Sequence, residues 1–399
     1  MRSGSRQRDD VTSPLWRSDA DHWPKMWTSK RTTWLLLLVV VLLVPAIALG
    51  LPALLRHPQI APTPSPTPGI PLLVSQACGL GSTASPSVTA VPVPTLGPPL
   101  PTPREGEVIG YDSAHNDLVM LGGQTFALIG GASKILDDSW ILDSQGWHEI
   151  HPVSSPTPGA MAPDPRSGHL IMVSSPLPTG EAQQTWSWDG RAWTRLVDLP
   201  APTDRVVGLA PLGNQLVLVT ENSQATATQT WVWTGAVWSL RHPVTNLPLG
   251  AADPVISADP LHHRVVAVLV AAATAGGATQ TWAWDGSTWR LASSTFKLGI
   301  DPSTASMVPD PQTGAVLLFM HPPGSMACTW ALDGTSWREV NPVSPDVDTA
   351  GAILISDTRI GRVIIIGSAL RPNPLNVLWV LNGSTWDVEP PSVLAAGTG

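Results

Sequence analysis

Short aliphatic runs recur along residues 106–390, each bracketed by polar turn residues. They are LVML after Asp112, LIMV after Asp164, VVAV after Asp259, VLLF after Asp310 and VIII after Asp357. A sixth, LVLV, follows Ala210 at the aligned position. Runs this short read as buried strands, because a helix needs about 10–12 residues to present a face. Proline at 165, 211, 260 and 311 marks the preceding position as a turn, and Asp-Pro favours turn initiation.

A second pattern lies downstream of each run. Tryptophans recur seven residues apart at 140/147, 186/193, 231/238, 282/289, 330/337 and 379/386. The first members are spaced 46, 45, 51, 48 and 49 residues apart. Trp188, Trp233 and Trp284 add an inner member to three of the pairs. Between the members stand Asp189-Gly190, Thr234-Gly235, Asp285-Gly286, Asp333-Gly334 and Asn382-Gly383. Glycine and asparagine accept the positive φ of tight hairpin turns, so each pair reads as strand, turn, strand.

The two patterns agree in number and period. They predict six units of four strands each, built from contiguous chain between about Glu107 and Trp386. A four-stranded sheet repeated every ~40–50 residues is the signature of a β-propeller blade, whose apolar faces are buried by its neighbours. The expected class is therefore all-β, a six-bladed propeller, with the tryptophans mainly as packing groups.

Upstream, residues 33–55 carry no charge, which is long enough for one membrane-spanning helix at ~1.5 Å per residue. Lys25, Lys30 and Arg31 precede it, and between Arg56 and Arg104 there is no lysine or arginine. The positive-inside rule places residues 1–32 in the cytoplasm and the remainder outside. A cleaved signal peptide ending near Ala46-Ile47-Ala48 is the competing reading. Residues 56–105 contain PTPSPTPG and VPVPTLGPPLPTP, a proline-rich extracytoplasmic linker of extended, semi-rigid character. The propeller then occupies 106–390, with a tail at 391–399.

Charge and composition narrow the partners. Residues 105–399 carry 13 Lys/Arg against 26 Asp/Glu, a balance of −13 that disfavours nucleic acid. The repeats resemble those of the kelch-type propeller, in its bacterial form related to the galactose oxidase central domain. The Asp turn, the Gly122-Gly123 that closes LVML, and the Trp strand with Asp-Gly and Trp carry the resemblance. The other repeats depart at the double glycine, with Ser174-Ser175, Thr220-Glu221, Val270-Ala271, Met320-His321 and Ile366-Gly367. Copper-radical chemistry of the galactose oxidase kind needs two tyrosines, and this chain has only Tyr111. A sialidase also needs a tyrosine nucleophile and an arginine cluster, and its Asp-box spacing is absent.

No catalytic, cofactor-binding or metal residues are expected. His262 and His263 are adjacent in a turn, and neighbouring strand side chains point to opposite faces. His148 and His151 do not share a strand face, and neither pair approaches a zinc pattern. The insertion Gln124–Asp138, with Lys134, Asp137 and Asp138, is the candidate binding loop. An extra strand or a channel plug is its structural alternative. Cys78 and Cys328 form one disulfide, or Cys328 is a buried thiol; an oxidising compartment permits the former. The expectation is a membrane-anchored module that binds protein or carbohydrate. The alternative is a glycan-active epimerase or lyase working in the propeller channel.

Overall fold

The computed structural model describes residues 100–102, 104, 106–125, 132–176, 182–200, 205–222, 226–250, 254–270, 279–296, 305–320, 328–341, 353–358, 360–366, 378–383 and 385–389. The chain divides into Met1–Leu72 and Leu73–Gly399. The apolar run 33–55 and the prolines of 58–99 lie outside the described residues. Among the described residues no helix is long and apolar enough to cross a membrane.

Six four-stranded antiparallel sheets follow one another along the chain, each with its strands in sequence order. Blade 1 holds β1 (Val108–Asp112), β2 (Asp117–Leu121), β3 (Ser139–Asp143) and β4 (Gly146–Ile150). Blade 2 holds β5 (Gly159–Pro163), β6 (Leu170–Ser174), β7 (Thr185–Trp188) and β8 (Trp193–Arg195). Blade 3 holds β9 (Arg205–Leu212), β10 (Gln215–Glu221), β11 (Thr228–Trp233) and β12 (Trp238–Arg241). Blade 4 holds β13 (Val255–Asp259), β14 (Arg264–Val270), β15 (Thr279–Trp284) and β16 (Trp289–Phe296). Blade 5 holds β17 (Ser306–Pro309), β18 (Val316–Met320), β19 (Cys328–Asp333) and β20 (Ser336–Asn341). Blade 6 holds β21 (Ile353–Asp357), β22 (Arg362–Ile366), β23 (Leu378–Asn382) and β24 (Thr385–Glu389). The first strands touch in the cycle β1, β5, β9, β13, β17, β21 and back to β1, so they line the axis and the ring is closed. The six-bladed propeller expected from the two repeat patterns is the observed fold.

The Asp turns explain their own recurrence. Asp112 accepts Ala114 N–H at 3.0 Å, Asp164 accepts Arg166 N–H at 3.0 Å, and Asp310 accepts Gln312 N–H at 3.0 Å. Four residues after the aspartate the chain turns left-handed, at Asn116, Gly168, His263, Gly314 and Gly361. That residue's N–H returns to the aspartate carbonyl at 2.8 Å in blades 1 and 2 and 2.7 Å in blade 5. Glycine and asparagine tolerate this conformation best, which accounts for their placement. Blade 3 lacks the aspartate and instead runs β9 into a tight turn at Gly213 and Asn214.

Packing is organised by seams, one apolar cluster between each pair of neighbouring blades. The seam of blades 2 and 3, for example, joins Ile171 and Val173 to Leu216, Leu218, Trp233 and Trp238. The hairpin tryptophans all face the preceding blade. Inner and outer members oppose each other in register and stack, with centroids 5.3 Å apart for Trp188/Trp193 and Trp233/Trp238, and 5.7 Å for Trp284/Trp289. Such pairs contribute ~0.5–1.5 kcal/mol beyond their area burial. The seam of blades 6 and 1 joins Ile355, Ile364 and Val380 to Met120, Leu142 and Trp147 by side-chain packing, with no strand exchanged between the two sheets.

The chain enters blade 1 through a fully buried arginine. Arg104 donates to Gly122 O at 2.8 Å and to Thr102 O at 2.9 Å, and pairs with both carboxylate oxygens of Asp138. Leu100 packs against the seam of blades 6 and 1. Cys328, first residue of β19 and buried, is disulfide-bonded, which removes the buried-thiol reading.

Candidate functional site

Both hairpin turns of every blade lie at the same end of its sheet, because β-hairpins reverse the chain twice in the order turn, connection, turn. On this turn face the Asp turns of blades 1, 2 and 4 lean on the next blade. The His115 ring sits over Gly190, where a Cβ would come within 2.4 Å of it. Arg166 similarly covers Gly235, and Ser113 donates to Gly168 O at 3.3 Å. Arg264 reaches Gly334 O. These contacts commit His115, Arg166 and Arg264 to joining blades.

Three of the candidate histidines are engaged within their own blades. His262 Nδ1 lies 3.0 Å from Asp259, and His263 supplies the left-handed turn residue. His148 Nε2 lies 3.0 Å from Asp143, and His151 is exposed. Among the described residues no group of three or more His, Cys, Asp or Glu is placed to hold a metal ion.

In the insertion Gln124–Asp138 the described ends form a short antiparallel extension. Gln124 bridges Ile135, Thr125 N–H donates to Lys134 O at 2.9 Å, and Leu136 N–H to Gly123 O at 2.9 Å. Asp138 is taken by Arg104 and by the Trp140 indole N–H at 2.8 Å. Burial pushes its pKa up, but these hydrogen bonds and the Arg104 charge win, and the net position is below the ordinary carboxylate range. Residues 126–131, which carry FALIGG, lie outside the described residues.

A different feature has the makings of a binding site. A groove of about 430 Å³ runs along the rim between blades 3 and 4. Trp282, Trp289, Thr288, Arg290 and Leu291 form its blade 4 side, and the connection after β12 forms the other at Thr245. That connection is tied down: Thr245 N–H donates to Thr288 Oγ1 at 3.2 Å, and Trp289 N–H to Thr245 O at 3.2 Å. The two indole N–H groups are turned inward. Trp282 donates to Gln280 Oε1 at 2.9 Å and Trp289 to Thr230 Oγ1 at 2.9 Å. The half-buried Trp282 therefore presents ring carbons beside Thr245, whereas Arg290, opposite Ala283, projects from the other face of the sheet.

Arg290 is oriented from below by the hairpin. Its Nε donates to Asp285 Oδ2 at 3.1 Å, leaving the two terminal nitrogens directed elsewhere. Asp285 also accepts from Ser287 and Thr288 N–H at 2.9 Å each and from the Ser287 hydroxyl at 2.6 Å. The Ser287 hydroxyl, with these backbone donors, holds its carboxyl well below the ordinary range. The counterpart of Arg290 is Arg338 of blade 5, opposite Ala331 as Arg290 is opposite Ala283; Arg195 of blade 2, opposite Trp186, stands where blade 4 has Leu291 and is committed at Nε and Nη2 to Asp198, at 3.1 and 2.7 Å. In blade 3 the first tryptophan, Trp231, is buried and bonds Thr220. Trp186 of blade 2 and Trp330 of blade 5 are half-buried as well; in blade 4 the tryptophan stands beside a concavity. The sequence carried no distinct signal for it, since Gln-Thr-Trp recurs at 184–186, 229–231 and 280–282.

No known protein family matches the chain, and no curated protein matches it. Similar solved structures include the SapL1 lectin in complex with alpha methyl fucoside (16% identity, covering 72% of this chain and 96% of that one, TM-score 0.47). AofleA from Arthrobotrys oligospora is 14% identical, covering 72% and 86%, with a TM-score of 0.43. The fucose-specific lectin from Aleuria aurantia is 13% identical, covering 74% and 99%, with a TM-score of 0.45.

Proposed function

We propose that this protein is a carbohydrate-binding module, displayed outside a membrane on the proline-rich linker and anchored by residues 33–55. The observation that carries the reading is the rim groove of blade 4. Sugars offer C–H faces that lie against an aromatic ring and hydroxyls that bond to backbone and hydroxyl groups beside it. The groove sets the half-buried Trp282 ring and Leu291 beside the Thr245–Thr288 edge within one concavity of ligand size. Its elements are fixed by strand pairing and by the Thr245–Thr288 bond, so little ordering is needed on binding. The disulfide at Cys328 supports an oxidising compartment, and the lysine and arginine distribution around 33–55 supports an N-terminus inside. The kelch-type assignment is supported by the Asp turns, Gly122-Gly123 and the tryptophan hairpins.

The test is to apply the labelled full-length protein to a panel of immobilised neutral and acidic glycans, with the Trp282→Ala variant alongside. Saturable retention on one glycan class, lost in the variant, is expected. Equal retention of both proteins, or none at any concentration up to the millimolar range, counts against the proposal.

A further inference from the structure

One wall of the groove beside Trp282 is a strand edge. β16 is the last strand of its sheet, so its outer edge faces away from β15. Trp289 N–H points to that edge and donates to Thr245 O at 3.2 Å. The register then runs regularly from Trp284↔Trp289 through Ala283↔Arg290 to Trp282↔Leu291. Main-chain groups of an antiparallel strand alternate between its two edges, so Leu291 N–H projects to the same edge as Trp289 N–H. Among the described residues it has no acceptor there. The groove thus continues an edge that already holds one amide carbonyl, that of Thr245.

Apolar side chains stand around this donor. Leu291 lies opposite Trp282 on the same face and is 47% exposed. Val244, next to the tied Thr245, is 98% exposed. Both line the groove with the Trp282 ring. Charge is turned away from it. Among the described residues lining the groove only Arg290 is charged, and it stands on the other face with its Nε on Asp285 at 3.1 Å. Residues 105–399 carry 13 Lys/Arg against 26 Asp/Glu, so the surrounding field opposes an anionic ligand.

We propose, resting on the carbohydrate reading above, that this groove selects neutral 2-acetamido sugars. The acetamide carbonyl accepts from Leu291 N–H as Thr245 O accepts from Trp289 N–H. The acetamide methyl lies against Leu291 and Val244, and the C–H face of the sugar ring lies on Trp282. A plain hexose has neither the carbonyl nor the methyl. A hexuronic acid brings a carboxylate to a face without a cation, which leaves that charge uncompensated.

Methyl glycosides of N-acetylglucosamine and N-acetylgalactosamine, titrated into the full-length protein beside those of glucose, galactose and glucuronic acid, test this by saturation-transfer NMR. The acetamido sugars should bind at least fivefold tighter than the parent hexoses, with the acetyl methyl protons receiving the largest saturation, and the glucuronide should bind weakest. N-acetylalanine methylamide, which carries the amide without the sugar, should bind at least fivefold more weakly than the acetamido sugars. Val244→Ser changes an exposed side chain and should cut the acetamido preference at least twofold while hexose binding stays within twofold. Equal binding of acetamido and parent sugars, lost in Trp282→Ala, overturns the selectivity and leaves the carbohydrate reading standing. Tighter binding of the glucuronide, equal binding of the amide alone, or an unchanged preference in Val244→Ser overturns the selectivity as well. Binding of no sugar overturns both.

Discussion

Trp238 donates its indole N–H to the hydroxyl of Thr185 across 2.8 Å, from the outer strand of one blade to the third strand of the blade before it. The same pair recurs three more times around the ring. The bond joins residues 53–59 positions apart and satisfies a donor that would otherwise be orphaned within four of the six seams.

The pair at Trp289 and Thr230 is the one to break. Thr230→Val keeps the volume but leaves the buried N–H unpaired, and should cost ~1–3 kcal/mol in urea unfolding. Trp289→Phe should show coupling of ~0.5–2 kcal/mol with it in a double-mutant cycle. Additive effects would mean that the hydrogen bond contributes nothing to the seam.

Inner tryptophans should behave differently. The buried Nε1 of Trp284 finds no acceptor among the described residues. Trp284→Phe sheds an unsatisfied donor along with some packing, so its cost should fall below that of Trp289→Phe. Equal or greater loss from Trp284→Phe in the same unfolding assay contradicts this account of the two positions.

Asp117 gives the protein a pH signature. Burial, then the neighbouring Asp112 and Asp143 charges, push its pKa up to about 6, against a smaller opposing effect of His115. One of its carboxyl oxygens is buried without a partner. The folded state therefore holds this proton more tightly than the unfolded state. Its contribution to stability is full below about pH 4 and is lost as pH rises to about 6. Asp117→Asn should raise stability at pH 7 by on the order of 1 kcal/mol, after allowing for partial exposure, and change little at pH 4. A gain at pH 4 equal to that at pH 7 contradicts the titration argument.

Two adjacent aspartates separate structure from surface. Asp138 neutralises the buried Arg104, whereas Asp137 is exposed. Asp138→Ala should cost ~3–5 kcal/mol, because it strands a buried cation, and Asp137→Ala should stay within ~0.5 kcal/mol. Similar melting temperatures for the two variants would remove the role assigned to Arg104.

Much of this architecture was legible in the chain because it is repeated. The Trp pairs and Asp turns are local, and each is fixed by backbone chemistry within a few residues: the left-handed position four residues after Asp310, the N–H groups gathered by Asp285. What the repeats do to one another was not legible. Thr185 and Trp238 belong to different blades, and only the ring geometry brings them together, although Gln-Thr-Trp at 184–186, 229–231 and 280–282 was there to be noticed. The candidate site was hidden for the same reason. Gln-Thr-Trp occurs in three blades, and it is the connection tied at Thr245 to Thr288 that places a concavity beside Trp282.

The central claim is that the blade 4 groove binds carbohydrate, and a titration tests it most directly. The glycan that the full-length protein retains best is titrated calorimetrically into wild type, Trp282→Ala and Arg195→Ala. The account predicts at least a tenfold weaker Kd for Trp282→Ala, which is ~1.4 kcal/mol, and an unchanged Kd for Arg195→Ala. Wild-type affinity in Trp282→Ala, or an equal loss in both variants, would contradict it.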